Sequence, residues 1–140
     1  MSFAPVQLID LPYHGSAVGD LVALQSTDGV VPFSISRVFA VRAGPNVTRG
    51  HHAHKLCNQL MVCLYGRCNV FCADGISKQA FLLDRADKAL LVPFGIWAEQ
   101  HYLETDTVLI VLCDQPYEEQ DYIRNYDDFL EFRKAIKSAP

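Results

Sequence analysis

Three of the five histidines of this chain fall in one heptapeptide, Arg49-Gly50-His51-His52-Ala53-His54-Lys55. His52 and His54 are two positions apart, a spacing that sends both imidazoles to one face if the segment is a β-strand. Neighbouring imidazoles have two chemical uses. They can contribute ligands to a metal, or they can carry protons near neutral pH, where the unperturbed group titrates. The plain alternative is a solvated strand end that happens to be rich in histidine. That alternative gives no reason for Arg49, the two histidines and Lys55 in so small a space. His51 should face away from the pair, and His14 and His101 have a surface or structural role as their default reading.

The elements that must hold this segment read as an all-β domain. Strand candidates lie at 5–11, 21–24, 33–41, through the histidine segment, and at 59–65, 68–72, 78–83, 89–92 and 107–113. Turn residues separate them: Thr27-Asp28-Gly29, Gly44-Pro45-Asn46, Ala73-Asp74-Gly75 and Pro93-Phe94-Gly95, with Gly66 as a hairpin corner. Many short strands divided this way point to a sandwich or barrel. In 33–41 the odd positions hold Phe33, Ile35, Arg37, Phe39 and Val41, so Arg37 stands in an otherwise apolar row. Either a bulge turns it out, or it meets a negative group inside, since an unpartnered buried cation is costly. The chain ends differently: Asn125 offers an N-cap, Asp127 and Asp128 sit in the first turn, and Phe129, Phe132 and Ile136 recur at helical spacing. The spacing predicts a helix over 126–137 that packs on the β-body.

Length and charge narrow the classes of function. With 140 residues, half of them apolar, the chain forms one domain, 1–140, with a real core. A net charge of -4 argues against non-specific nucleic-acid binding, although Arg49 and Lys55 could make a local basic pocket. No apolar run reaches the ~18 residues of a membrane span, and the N-terminus lacks signal-peptide features, so a cytoplasmic protein is expected. Cys57, Cys63, Cys68, Cys72 and Cys113 form no Cys-x-x-Cys pair and read as small buried hydrophobes in a reducing compartment. Cys63 and Cys72 are expected to face each other across a hairpin, without demanding a bond.

Jelly-roll cupins carry a metal-binding pattern onto which this chain can be laid. Its first half is His-x-His, four residues, Glu, six residues, Gly. Here His52 and His54 are followed by Gln59 and Gly66, so the carboxylate is replaced by an amide. Its second half is Pro-x-Gly-x-x-His, and here Pro93 and Gly95 lead to Ala98. A catalytic transition-metal site usually keeps three protein ligands from His and carboxylate. The scaffold pattern remains, a strong metal site is not expected, and no other cofactor is called for. The two imidazoles are left for proton transfer.

Arg49-Gly50-x-His52-Ala53-His54-Lys55, Trp97-x-Glu99, and the stretch Tyr117-x-Glu119-x-Asp121-Tyr122-Ile123-Arg124-x-Tyr126 together resemble the dTDP-sugar 3,4-ketoisomerases, cupin enzymes of deoxysugar biosynthesis with an RmlC-like jelly roll. The resemblance runs from about Phe33 to Phe129. It implies conversion of dTDP-4-keto-6-deoxyglucose to a dTDP-3-keto-6-deoxyhexose, with His52 and His54 moving a proton between C3 and C4. It also implies a homodimer that exchanges N-terminal strands, here residues 1–12. This chain has Ala98 where members commonly have His, and Phe39 near where they often have Tyr. Read as chemistry, the C4 ketone acidifies the C3 proton, a neutral imidazole removes it, and an enediolate is reprotonated at C4. His52 is the expected base and His54 its partner. Gln59 and Arg49 are candidate donors to the enediolate. Arg37, Arg49, Lys55 and Arg124 are candidate partners of the diphosphate, and Trp97 and Tyr122 candidate stacking surfaces. The rival readings are a 3,5-epimerase on the same scaffold, a metal-dependent cupin oxygenase, and a cupin module that only binds sugar nucleotides.

Overall fold

The computed structural model describes residues 6–138. Two five-stranded sheets face each other. The first has strand order β1 (Gln7–Asp10), β9 (Lys88–Val92), β6 (Gln59–Tyr65), β11 (Thr107–Cys113), β4 (Arg37–Ala43). The second runs β12 (Tyr122–Ile123), β5 (Val47–His54), β10 (Trp97–Tyr102), β7 (Cys68–Ala73), β8 (Lys78–Leu83). Each strand pairing is antiparallel. A separate hairpin joins β2 (Tyr13–Ser16) to β3 (Gly19–Val22). This is the all-β jelly roll expected of a cupin, closed by one C-terminal helix.

The core between the sheets comes from inward rows of alternating strands. Met61, Cys63, Leu90, Val92, Leu109, Val111 and Cys113 face Cys68, Val70, Cys72, Leu83, Ala98 and Tyr102 across it. A second apolar cluster lies on the other face of the first sheet. There Phe33, Ile35 and Val31, from the segment before β4, cover Leu60, Val62, Ala89 and Leu112. The strand expected at 33–41 therefore begins only at Arg37, and its first apolar residues serve as a cover.

Several expectations are corrected. Gly66 is not a hairpin corner, because β6 and β7 belong to opposite sheets and the turn there carries the chain across the core. Gly66 takes φ 77°, and a Cβ on it would come within 2.5 Å of Thr107 Oγ1. Cys63 and Cys72 are accordingly not cross-strand partners, and all five cysteines are free and buried. The strand expected at 21–24 is shifted to Gly19–Val22, where it pairs with β2. Strand β10 had no counterpart in the sequence reading, since the mixed polar and aromatic run Trp97–Tyr102 lacks a simple apolar alternation. It is the central strand of the second sheet. The first strand candidate, 5–11, contracts to Gln7–Asp10, pairing with β9 of the same chain. Pro5 and the rest of 1–5 lie outside the described residues.

The helix α1 (Tyr126–Ser138) forms as its spacing predicts. The Asn125 side chain accepts a hydrogen bond from the Asp128 amide at 3.0 Å, the N-cap interaction. Phe129 is fully buried among Ala53, Ala73, Trp97 and Ile123. Arg133 of the same helix is buried and donates to the Gly95 carbonyl at 2.9 Å, tying the helix to the turn that leads into β10.

Candidate active site

Strand β5 carries the histidine pair, and its local geometry is set by a bulge. Ala98 is opposite His52 and Glu99 opposite Gly50, so His51 is the extra residue. Gly50 and His51 both take positive φ, at 93° and 57°. A Cβ at position 50 would lie 2.6 Å from Gln100 Oε1 and 2.9 Å from the Ala98 carbonyl, so only glycine fits there without movement. The bulge turns the Gly50 carbonyl onto the next residue but one, where it accepts a hydrogen bond from His52 Nδ1 at 3.0 Å. With Nδ1 bearing the hydrogen, Nε2 of His52 keeps the lone pair. His51 is exposed and lies 3.6 Å from Glu99 Oε1.

After the bulge the strand regains its period of two, and the rings of His52 and His54 stand edge to face with centroids 5.1 Å apart. Tyr122, on β12 beside β5, packs on both, at 4.9 Å and 4.5 Å. His54 is buried. Its Nδ1 donates to Asp121 Oδ2 at 2.7 Å, while Oδ1 of the same carboxylate accepts from the Leu56 amide at 2.7 Å. Nε2 of His54 is buried with no hydrogen-bond partner. Asp121 had no assigned role in the sequence reading. It is one acid among Glu118, Glu119 and Asp121 in a short polar stretch, and nothing in that stretch marks it as the one that turns inward.

Burial dominates the proton affinity of both rings. It holds His52 down at about 4, outweighing the Gly50 hydrogen bond and helped by His54 and Arg124. His54 is also lowered, because desolvation exceeds the support of Asp121, and Arg37 adds to the depression. Both imidazoles are therefore neutral at physiological pH and able to accept a proton.

A cavity of about 220 Å³ opens between the sheets beside His52. Arg49, Gln59, Gln100, Tyr102, Tyr122 and Arg124 share its wall, with Phe39 and Val41 on the apolar side. The structure thus brings together His52, Arg49, Gln59, Tyr122 and Arg124 from the sequence candidates. Arg124 lies over the Tyr122 ring at 4.4 Å and is held by Glu119 at 3.0 Å and 3.1 Å. His54 sits behind His52. Arg37 lies behind the lining, its guanidinium between the rings of Phe39 and Tyr117 and 3.6 Å from Cys113 Sγ. Lys55 is exposed and outside the cavity lining. Trp97 faces the other side of the second sheet, where its Nε1 donates to Glu99 at 2.8 Å and its ring packs on Tyr126 and Phe129. It anchors the helix, away from the cavity. Gln100 and Tyr102 were not anticipated, because they belong to the strand the sequence did not reveal.

The cupin metal positions do not fit a metal. Ala98 is packed into the core beside His52, and the Gln59 amide donates to the Cys113 sulfur at 3.7 Å. Among the described residues one trio of possible ligands comes together, His54, Cys57 and Asp121. Two of its members already share the Nδ1–Oδ2 hydrogen bond.

Comparison with known proteins gives a consistent picture. The family described as FdtA, WxcM-like, C-terminal, matches residues 4–134. A TDP-4-oxo-6-deoxy-alpha-D-glucose-3,4-oxoisomerase from Aneurinibacillus thermoaerophilus is 40% identical over 119 residues, 84% of this chain and 85% of that protein. The 3,4-ketoisomerase QdtA from Thermoanaerobacterium thermosaccharolyticum, solved as a histidine-to-asparagine mutant with TDP-4-keto-6-deoxyglucose, superposes with a TM-score of 0.90 at 27% identity over 99% of this chain and 100% of that one. An RmlC epimerase from Mycobacterium tuberculosis shares the fold alone, at TM-score 0.73 and 19% identity over 84% of this chain and 66% of its own. The family match, the curated relative and the histidine-lined jelly-roll cavity agree: this chain belongs to the FdtA, WxcM-like family of dTDP-sugar 3,4-ketoisomerases.

Proposed function

We propose that this protein converts dTDP-4-keto-6-deoxyglucose to a dTDP-3-keto-6-deoxyhexose without a metal or other cofactor. One observation carries the reading: a neutral imidazole, His52, is fixed in a single tautomer at the wall of a cavity that also holds two arginines. His52 removes the proton at C3, which the adjacent ketone acidifies, and the electrons move into an enediolate. Reprotonation at C4, with the O3 hydroxyl proton passing to O4, leaves the ketone at C3 and a hydroxyl at C4, so the proton and electron count is unchanged. His54, fixed by Asp121, is its partner in that transfer. Positioned acid–base catalysis supplies roughly 10²–10⁴-fold. Gln59 and Arg49, both on the cavity wall, are the candidate donors to the enediolate oxygens. Arg49 and Arg124 supply the charge for a diphosphate, with Tyr122 as an aromatic surface for the nucleotide or sugar.

The reading extends to assembly and location. The protein acts as a homodimer in which β1 is exchanged between copies. β1 is a four-residue edge strand, and its ladder to β9 would have the same register in trans as in cis. A cytoplasmic setting accords with five free buried thiols, and among the described residues no helix is long and apolar enough to cross a membrane.

Incubation with dTDP-4-keto-6-deoxyglucose in deuterated water tests the reaction. Deuterium should appear at C4 of a 3-keto product and be lost in His52→Asn. Label at C5 would mean an epimerase instead, and tight binding with no conversion by the wild type would mean a binding module.

A further inference from the structure

One row of side chains beneath the cavity is not used by the mechanism above. Arg37, Cys113 and Gln59 are direct cross-strand neighbours on β4, β11 and β6. Cys113 packs in the core between the sheets, Gln59 lines the cavity, and Arg37 is half-buried within electrostatic reach of His54. Arg37 Nη2 donates to Cys113 Sγ at 3.6 Å and Gln59 Nε2 donates to the same sulfur at 3.7 Å. Cys57, from the segment between β5 and β6, is a further neighbour of that sulfur, and its thiol donates to the Asn58 carbonyl at 3.5 Å. Cys113 is fully buried. Two nitrogen donors thus converge on one sulfur. A neutral Cys113 would meet both donors with a weak acceptor that carries a hydrogen of its own, whereas a thiolate accepts from both with a full negative charge.

The same row settles the question raised by Arg37. No shift of register occurs between β4 and β11, so Arg37 is not turned out by a bulge. Among the described residues it makes no ion pair with a carboxylate, and its Nε is buried without a hydrogen-bond partner. Its other polar neighbour is Tyr122. Arg37 is half-buried, and a guanidinium partly withdrawn from water is stabilised by an anion beside it.

We infer that Cys113 stands as a thiolate, the internal counter-anion of Arg37, and that it is a positioning residue for Arg37 and Gln59 beneath the active-site cavity. An acceptor-only sulfur decides which end of the Gln59 carboxamide it meets, and so fixes the orientation of a side chain that lines the cavity. It also offsets the positive charge that Arg37 places near His54. The charged and titratable groups around the sulfur are Arg37 and Cys57, with Asp114 close by and held by Asn58, and Tyr122 beyond Arg37. The neighbouring Cys57 thiol, then the hydrogen bonds from Arg37 and Gln59, outweigh burial and hold the Cys113 thiol below its ordinary range, while Cys57 goes up. Cys63, Cys68 and Cys72 are pushed up to about 11, 12 and 12 by burial.

Those differences make the inference measurable. Following the ultraviolet thiolate band of the intact protein against pH should reveal one thiolate per chain, with a midpoint below the ordinary thiol value of ~8.5. The band should vanish in Cys113→Ser and persist in Cys63→Ser. A wild type silent until above that value, or a band that survives Cys113→Ser, overturns the inference. Should Cys113→Ser fail to fold, Arg37→Gln takes its place: the midpoint must rise, and an unmoved midpoint is equally fatal. The kinetic arm rests on the ketoisomerase reading. Cys113→Ser should lower kcat/KM at least ~10-fold, and Cys113→Asp, which returns a negative charge, should recover most of that loss. If Asp does no better than Ser, the positioning role is wrong. Because the absorbance arm needs no substrate, it stands or falls separately from the proposed reaction.

Discussion

His52 and His54 share a strand face, yet each is held by a different kind of acceptor. His52 is tied to a backbone carbonyl and borders the cavity, whereas His54 is tied to a buried carboxylate and stands behind it. The neutral carbonyl leaves burial to decide the charge of His52, which is why its proton affinity falls to about 4 from the usual 6.5. Two effects of pH follow, with the same sign. For activity, the base form persists into acid, so the acid limb of kcat/KM for the ketosugar should lie near 4 and not near 6.5. For stability, the unfolded chain takes up a proton that folded His52 refuses. The His52 contribution therefore declines as pH falls below 6.5 and is fully lost below about 4. A pH–rate profile on the free enzyme checks the first; a limb near the ordinary imidazole value would mean that His52 is more solvated than its surroundings here allow.

The element that determines the site is the bulge in β5. Without the extra residue, the histidines would still alternate correctly with each other, but no carbonyl would be turned back onto His52 Nδ1. Gly50 permits that bend, for two separable reasons: its φ of 93° and the closeness of Gln100 and Ala98. Gly50→Ala should cost more than about 1 kcal/mol in a denaturant titration, because the strain of positive φ is joined by a clash with backbone. It should also depress kcat more than KM, since it disturbs the His52 tautomer while leaving Arg49 and Arg124 on the cavity wall. Unchanged kinetics would show that the bulge serves folding alone. The C-terminal helix contributes at a distance. Phe129 and Trp97 clamp it to the back of the second sheet, and Arg133 fastens it to Gly95 at the start of β10.

At the scale of the molecule, the cavity is a property of two sheets, with β4, β6 and β11 giving one wall and β5 and β10 the other. Assembly is tested at the same scale. Gln7 and Leu91 are opposite each other on β1 and β9. Oxidation of the double variant Gln7→Cys with Leu91→Cys should give a covalent dimer on a non-reducing gel if β1 is exchanged, and a cross-linked monomer if it is not. What the sequence determined by itself was whatever depends on neighbours along the chain. The two-residue spacing of His52 and His54, the alternation in 33–41, the apolar runs of β6 and β11, the Asn125 cap and the Phe129 stripe are local patterns, and the fold class and family followed from them. The tertiary structure alone decided which distant groups meet. Asp121 reaches His54 across 67 positions and Arg37 reaches Cys113 across 76. Trp97 is sent to the back of the sheet and Gly66 becomes a crossing between layers. Such pairings are fixed by sheet order and register, which a single strand does not encode, because each strand specifies its own two faces but not the partner that either face will find.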